Sequence, residues 1–308
     1  SPLMKNGAQL GAIASGKTYD YDADFCTKAA DAFGELLTLV ENGETPYALA
    51  QFNYKNVYDH ERASGSSSCY SDIFYTINSN WAMPGSVEAI FRGPSANSDG
   101  NANNSNWNTS KVFGPKNAKV VAHDNVIHQP TANLIRAYGM KNGLPIDDPD
   151  SGFDPAQPYK NRDPRFYHDI VFDGFHYVLA ADKLSTEQKP YEYCSLYTGG
   201  DMRDVATSSS TGYFCQKLIP HQCNEGDKMY DWGFSLHCYL PYMRLADIYL
   251  MYAEAVGAVN GAKAKSTTCS LTAEDAINRV RERCEAGRVN AKYTADKKLF
   301  IDEVRRER

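Results

Sequence analysis

The sequence predicts a mostly α-helical protein, in which close-packed helix pairs carry a large, irregular, loop-rich subdomain with a small β-hairpin. Three observations lead to that class. A helix rich in small residues at 22–42 is matched in design by another at 244–256. The second of these is followed by a helix bearing an arginine cluster, Ala276-Ile-Asn-Arg-Val-Arg-Glu-Arg283. Between the two matched helices, long apolar runs give way to Gly, Ser, Asn and isolated aromatics.

In chain order, the first helix has Asp22 or Asp24 as its cap and an apolar stripe of Cys26, Ala29, Phe33, Leu36, Leu37 and Val40. Asn42-Gly43 stops it. Ala29, Ala30, Ala32 and Gly34 keep its surface thin for close helix packing. From 44 to 130 the chain reads as irregular, and 93–107 is a loop by composition. Six Asn between 97 and 108 surround Trp107. A flexible linker seldom carries a Trp, so this is expected to be an ordered or ligand-ordered surface loop.

Thr131 is placed to cap a short helix through Tyr138, after a proline. Phe166, His168, Ile170 and Phe172 alternate with Tyr167, Asp169 and Val171, and Asp173-Gly174 then turns the chain into 175–179, a hairpin signal. Residues 181–240 read mostly as loop. Beyond them, Leu245, Ile248, Tyr249, Tyr252 and Val256 fall on one helical face, with Ala246, Ala253 and Ala255 thinning the rest. Thr272 and Asp275 have capping-box spacing before a second stripe of Ala273, Ala276, Ile277, Val280 and Cys284. A helix pair of this kind cannot bury its face alone and is built to stack in an array. The expected division is 1–43, the end of an N-terminal helical-repeat region; 44–240, an irregular ligand-binding subdomain; and 241–308, a C-terminal helical-repeat pair.

Composition narrows the function. The net charge of -6 argues against a nucleic-acid binder, whose footprint is basic. No apolar run reaches the ~18 residues of a bilayer span. Tyrosine is in excess, 21 against 13 Phe and 3 Trp, and its flat face with a polar tip suits wet recognition surfaces as well as helix packing. The eight cysteines include no Cys-x-x-Cys pair, which argues against a structural zinc site. Their even number leans towards an oxidising compartment, with Cys194, Cys215, Cys223 and Cys238 close enough to staple one loop-rich region. Both ends read as cut: Ser1-Pro2 opens without a leader, and Glu303-Val-Arg-Arg-Glu-Arg308 stops within a charged helix.

Four segments, in order, resemble the SusD/RagB family of outer-membrane nutrient-binding lipoproteins of Bacteroidetes. Pro130-Thr-Ala-Asn-Leu-Ile-Arg-Ala-Tyr138 with Gly143-Leu-Pro-Ile146 is similar to the family's PT-x-x-L-x-x-x-Y … G-x-P-I segment. Asn161-Arg-Asp-Pro-Arg-Phe166 looks like its NRDPR block, and Thr211-Gly-Tyr-Phe-Cys-Gln-Lys217 like its GY-x-x-x-K segment. The helix pair beginning Arg244-Leu-Ala-Asp-Ile-Tyr-Leu-Met-Tyr-Ala-Glu-Ala255 resembles its most characteristic feature. The resemblance covers 130–308. It implies tetratricopeptide-like helix pairs and no bond chemistry. It also implies a surface protein of the outer membrane, facing the exterior, that passes oligosaccharide or peptide to a SusC-like TonB-dependent transporter. The family's lipidated Cys and first repeats are absent here, so membrane attachment through a lipid anchor is implied by the resemblance alone.

Residue chemistry nominates the ligand site. Sugar recognition needs aromatic faces for the C–H side of a pyranose and amides, carboxylates or Arg for its hydroxyls. Tyr70, Tyr75, Asn78, Asn80, Trp81, Arg92 and Trp107 supply that mixture, with Trp81 or Trp107 the expected stacking ring and Trp232 more plausibly structural. Arg162, Arg165, Arg279, Arg281 and Arg283 are expected to fix structure through carboxylates and carbonyls. Asp147-Asp-Pro-Asp150 with Asp154 offers oxygen ligands of the calcium type, but without the EF-hand pattern it reads first as a solvated turn. No nucleophile elbow, P-loop or metal triad is present, and no cofactor is expected. The rival classes are a glycan-processing hydrolase using two carboxylates and a protein-binding surface scaffold or adhesin.

Overall fold

The computed structural model describes residues 21–56, 69–74, 87–92, 128–204, 208–218, 227 and 241–308. Helix α1 (Ala23–Glu41) starts where the Asp22 carboxylate accepts the Phe25 amide and stops at Asn42, with Gly43 at φ 72°. Strand β1 (Ala89–Arg92) follows, then the short helices α2 (Ala132–Ala137), capped by Thr131, and α3 (Pro164–Asp169), capped by Asp163. The two-residue strands β2 (Ile170–Val171) and β3 (Phe214–Cys215) pair antiparallel. Strand β4 (Pro241–Arg244) pairs antiparallel with β1 and runs straight into α4 (Leu245–Asn260). Helices α5 (Ala273–Glu282), α6 (Ala291–Thr294) and α7 (Lys297–Glu307) complete the chain. The fold is thus mostly helical, with little strand, and among the described residues no helix is long and apolar enough to cross a membrane.

One core is built around α4. The sequence marks a single apolar face on this helix, yet Leu245, Ala246, Ile248, Tyr249, Leu250, Tyr252, Ala253, Ala255 and Val256 are all buried. The reason is that α1, α5 and α7 each pack against a different side of it. Small residues make those approaches short. A Cβ on Gly257 would lie 2.7 Å from the Phe300 ring of α7, and one on Gly34 of α1 would lie 2.4 Å from Thr268 Oγ1 in the α4–α5 loop. The Thr272–Asp275 capping box starts α5 as expected, and Ala273, Ala276, Ile277, Val280 and Cys284 are buried beneath it.

The arginines lock this core to the rest of the chain. Arg279 reaches Glu41 on α1 at 2.7 Å. Arg281 meets Glu303 and Glu307 of α7 at 2.7 and 2.8 Å, and donates to the Gly143 carbonyl at 3.2 Å. Gly143 itself has φ 86°, and a Cβ there would strike the Gly287 carbonyl, so only glycine lets this loop lie on the helix pair. Arg283 and Arg244 both engage Glu88, a fully buried carboxylate just ahead of β1. Arg162 spends its guanidinium on the carbonyls of Gly139, Pro158, Ile135 and Tyr138, and Arg165 pairs with Asp163 and Glu307. These are the structural roles expected of them.

Two local expectations change, and the acidic loop keeps its turn. The segment 166–172 is not a strand of a hairpin: 164–169 is helical because Asp163 caps it and Pro164 occupies its first turn. Strand β2 then finds its partner at 214–215, far along the chain, while the turn at Asp173-Gly174 survives with Gly174 at φ 82°. Cys194 and Cys215 are free thiols, so no disulfide joins them; burial pushes the Cys215 thiol up to about 11. Cys223 and Cys238 lie outside the described residues. The acidic loop at 147–154 spends its carboxylates on protein partners. Asp147 pairs with Arg136, Asp148 and Asp150 take Lys292 at 2.6 and 2.8 Å, and Asp154 caps the Ala156 amide.

Candidate functional site

A second core lies in the irregular part, around Phe166, Tyr167, Ile170, Phe172, Phe175 and Phe214. Asp169, at the end of α3, joins it to a small aromatic cluster upstream. Its carboxylate accepts the hydroxyls of Tyr138 at 2.8 Å and Tyr70 at 3.3 Å. Lys217 Nζ stands 3.2 Å away and His168 Nδ1 3.1 Å away. Burial opposes ionisation of Asp169, but Lys217, His168 and Tyr138 outweigh it and hold the carboxyl below the usual carboxylate range. Burial pushes the His168 pKa down, which keeps the ring neutral, and because a carboxylate only accepts, the ring proton belongs on Nδ1. Tyr70 is therefore an interior residue, 2% exposed, packed edge-on against Phe74 and His168.

The far side of the same core opens as an aromatic cleft of about 350 Å³. It is lined by the buried Tyr167, Phe172 and Phe175 together with Tyr159, Gly174, His176 and Tyr193. Local sequence builds it in steps. Helix α3 delivers Tyr167, Phe172 follows directly on β2, and the Asp173-Gly174 turn reverses the chain so that Phe175 and His176 join the lining. The returning chain is held by 193–194: Gly174 N donates to the Cys194 carbonyl at 2.8 Å, Cys194 N to the Phe175 carbonyl at 2.9 Å, and His176 and Tyr193 form an antiparallel bridge. Directly opposed residues of such a pair share a face. The two rings accordingly stack, 4.6 Å apart and 17° from parallel, with Tyr193 half exposed.

Two carboxylates brace the chain segments that form the cleft. His176 Nε2 lies 3.1 Å from a Glu192 carboxylate oxygen, which orients the ring. Asp173 Oδ1 accepts the amides of Leu196 and Tyr197, at 2.8 and 3.0 Å, and so fixes the strand end that follows Tyr193. Among the described residues no Lys or Arg lines the cleft, and no group of three or more metal-binding side chains occurs. The arrangement is suited to stacking against a flat ligand face.

Of the residues nominated from sequence, Tyr75, Asn78, Asn80, Trp81 and Trp107 lie outside the described residues, as does Trp232. Arg92 ends β1, opposite Pro241 of β4. Tyr70 is turned inward to Asp169. The sequence reading missed His176 and Tyr193. The Asp173-Gly174 turn was the available signal for the first, but Tyr193 meets it only through a pairing that no local pattern announces.

Comparison with known proteins agrees with this architecture. A SusD-like protein from Bacteroides fragilis matches with a TM-score of 0.58 at 21% identity, over 99% of this chain and 53% of its own. A SusD-like carbohydrate binding protein from the same organism matches with a TM-score of 0.49 at 20% identity, over 96% of this chain and 50% of its own. The chain thus spans about half the length of these solved structures. A search of curated proteins found no match. The SusD family model matches residues 87–308. That match takes in the buried Glu88, the NRDPR loop and the α4–α5 pair, and by it the chain belongs to the SusD family.

Proposed function

We propose that the protein holds oligosaccharide, or peptide, at the outer face of the outer membrane and delivers it to a SusC-like TonB-dependent transporter without catalysing bond cleavage. Membership of the SusD family carries this reading, since members of that family are surface nutrient-binding lipoproteins. Three of the described buried carboxyls lack the character of a glycosidase acid. A glycosidase acid needs a carboxyl whose pKa is raised. The buried carboxyls Asp169, Glu303 and Glu307 are instead held below their ordinary range by adjacent cations. The helices form the support and the 44–240 region presents ligand residues, with Trp81, Trp107, Tyr75, Asn78, Asn80 and Arg92 proposed to contribute from its loops.

Glycan arrays followed by calorimetry test the reading: a neutral oligosaccharide should bind and be recovered intact. Cleaved products that disappear on replacing one Asp or Glu would replace it with the hydrolase. Trp81→Ala or Trp107→Ala should weaken binding while leaving the thermal midpoint nearly unchanged, and unaltered affinity in both would remove the loop assignment. Co-expression with a SusC-like transporter from the same organism should give a stable complex.

A further inference from the structure

We propose that the cleft between Tyr159 and the His176–Tyr193 stack is a binding subsite for one neutral pyranose ring, an assignment that rests on the nutrient-binding reading above. The bridge between His176 and Tyr193 sets two rings face to face as one rigid shelf, and Tyr193 remains half exposed although Phe172 and Phe175 beside it are buried. An aromatic face held this way gains by taking an apolar ligand face, and the axial C–H side of a pyranose is one. Gly174 in the lining would place a Cβ in open space, so the cleft is unobstructed there. The volume of about 350 Å³ lies at the small end of ligand pockets, fitting a single ring better than an extended chain.

Polar groups in and beside the cleft decide the ligand class. Glu192 uses one oxygen on His176, and a carboxylate has a second that accepts hydroxyls; the Tyr193 hydroxyl both donates and accepts. Among the described lining residues there is no Lys or Arg to match the carboxylate of a uronic acid, a phosphate or a peptide C-terminus. A ring with hydroxyl edges, one apolar face and no charge fits what remains.

The test uses the full chain and titration calorimetry with maltohexaose, cellohexaose, laminarihexaose and mannohexaose. For whichever sugar binds, Tyr193→Ala and His176→Ala should each weaken affinity about tenfold, the scale of a lost stacking contact. Tyr193→Phe should keep most of the affinity, Tyr242→Ala, an exposed tyrosine on β4, should change nothing, and all four variants should retain the wild-type thermal midpoint. A sugar that binds Tyr193→Ala and His176→Ala as tightly as wild type would overturn the subsite and leave the nutrient reading standing. Failure of every sugar to bind the wild type would overturn both. Binding of a tryptic peptide mixture that is lost in Tyr193→Ala would overturn the sugar assignment in favour of peptide.

Discussion

Arg281, with a side chain 1% exposed, lies between Glu303 and Glu307 and also reaches the Gly143 carbonyl. A buried guanidinium contributes little net stability when paired, but removing it strands the partners. Arg281→Met is therefore expected to lose ~3–5 kcal/mol in urea denaturation, the cost of breaking a buried pair. A loss under ~1 kcal/mol would show that Arg165, paired with Glu307, and Arg306, paired with Glu303 at 2.5 Å, satisfy both carboxylates unaided. The arginines were legible at this scale because a cluster of long cations on a core helix demands carboxylates nearby. Tyr70 was not, since an aromatic with a polar tip serves a wet surface and a buried carboxylate equally well, and only Asp169, remote in sequence, decides between them.

Helices were legible as elements because their signals are local. The caps at Asp22, Thr131 and Thr272 and the stripe on α5 all stand where the spacing puts them. Thr272→Ala should cost ~1 kcal/mol, the usual value of an N-cap, and a variant as stable as wild type would show the box to be redundant. Ala253→Trp makes the stronger claim. Ala253 is fully buried in the centre of α4, so the indole must displace a neighbouring helix, and the variant should unfold early or fail to fold. A native circular-dichroism spectrum with an unchanged thermal midpoint would contradict the packing described. Strand pairing was the failure. The alternation at 166–172 fits a strand, but the cap at Asp163 and the proline beside it favour helix, and the true partner of β2 lies more than forty residues downstream.

Across the whole molecule, the depressed carboxyls set a pH dependence. Glu303 and Glu307 ordinarily titrate at 4.5; burial would raise them, but the surrounding arginines lower them further than burial raises them. Asp169, ordinarily 3.8, is lowered in the same sense. The unfolded chain thus binds protons at a pH where the folded chain does not. The stabilisation is complete above the ordinary carboxylate range and is lost as pH falls below about 4.5 towards the folded values. Thermal midpoints measured from pH 7 to pH 3 should stay level at first and then drop; a midpoint that rises on acidification would refute it.

The packing of α1 directly on α4 bears on how such a protein diversifies. Residues 42 and 244 are distant along the chain, yet the helices that end and begin there are neighbours. Everything between them is an excursion whose two stems are already tied together. Lengthening such an excursion adds only ~0.6 kcal/mol of closure entropy per doubling. Its contents are therefore free to change as a cassette while the frame persists, provided its fasteners travel with it, among them Glu88 for Arg283 and Arg244, Gly143 for Arg281, Asp148 for Lys292 and the Arg165 that grips Glu307. A recombinant that exchanges this cassette between relatives and keeps those contacts would inherit its ligand preference from the insert and its thermostability from the frame.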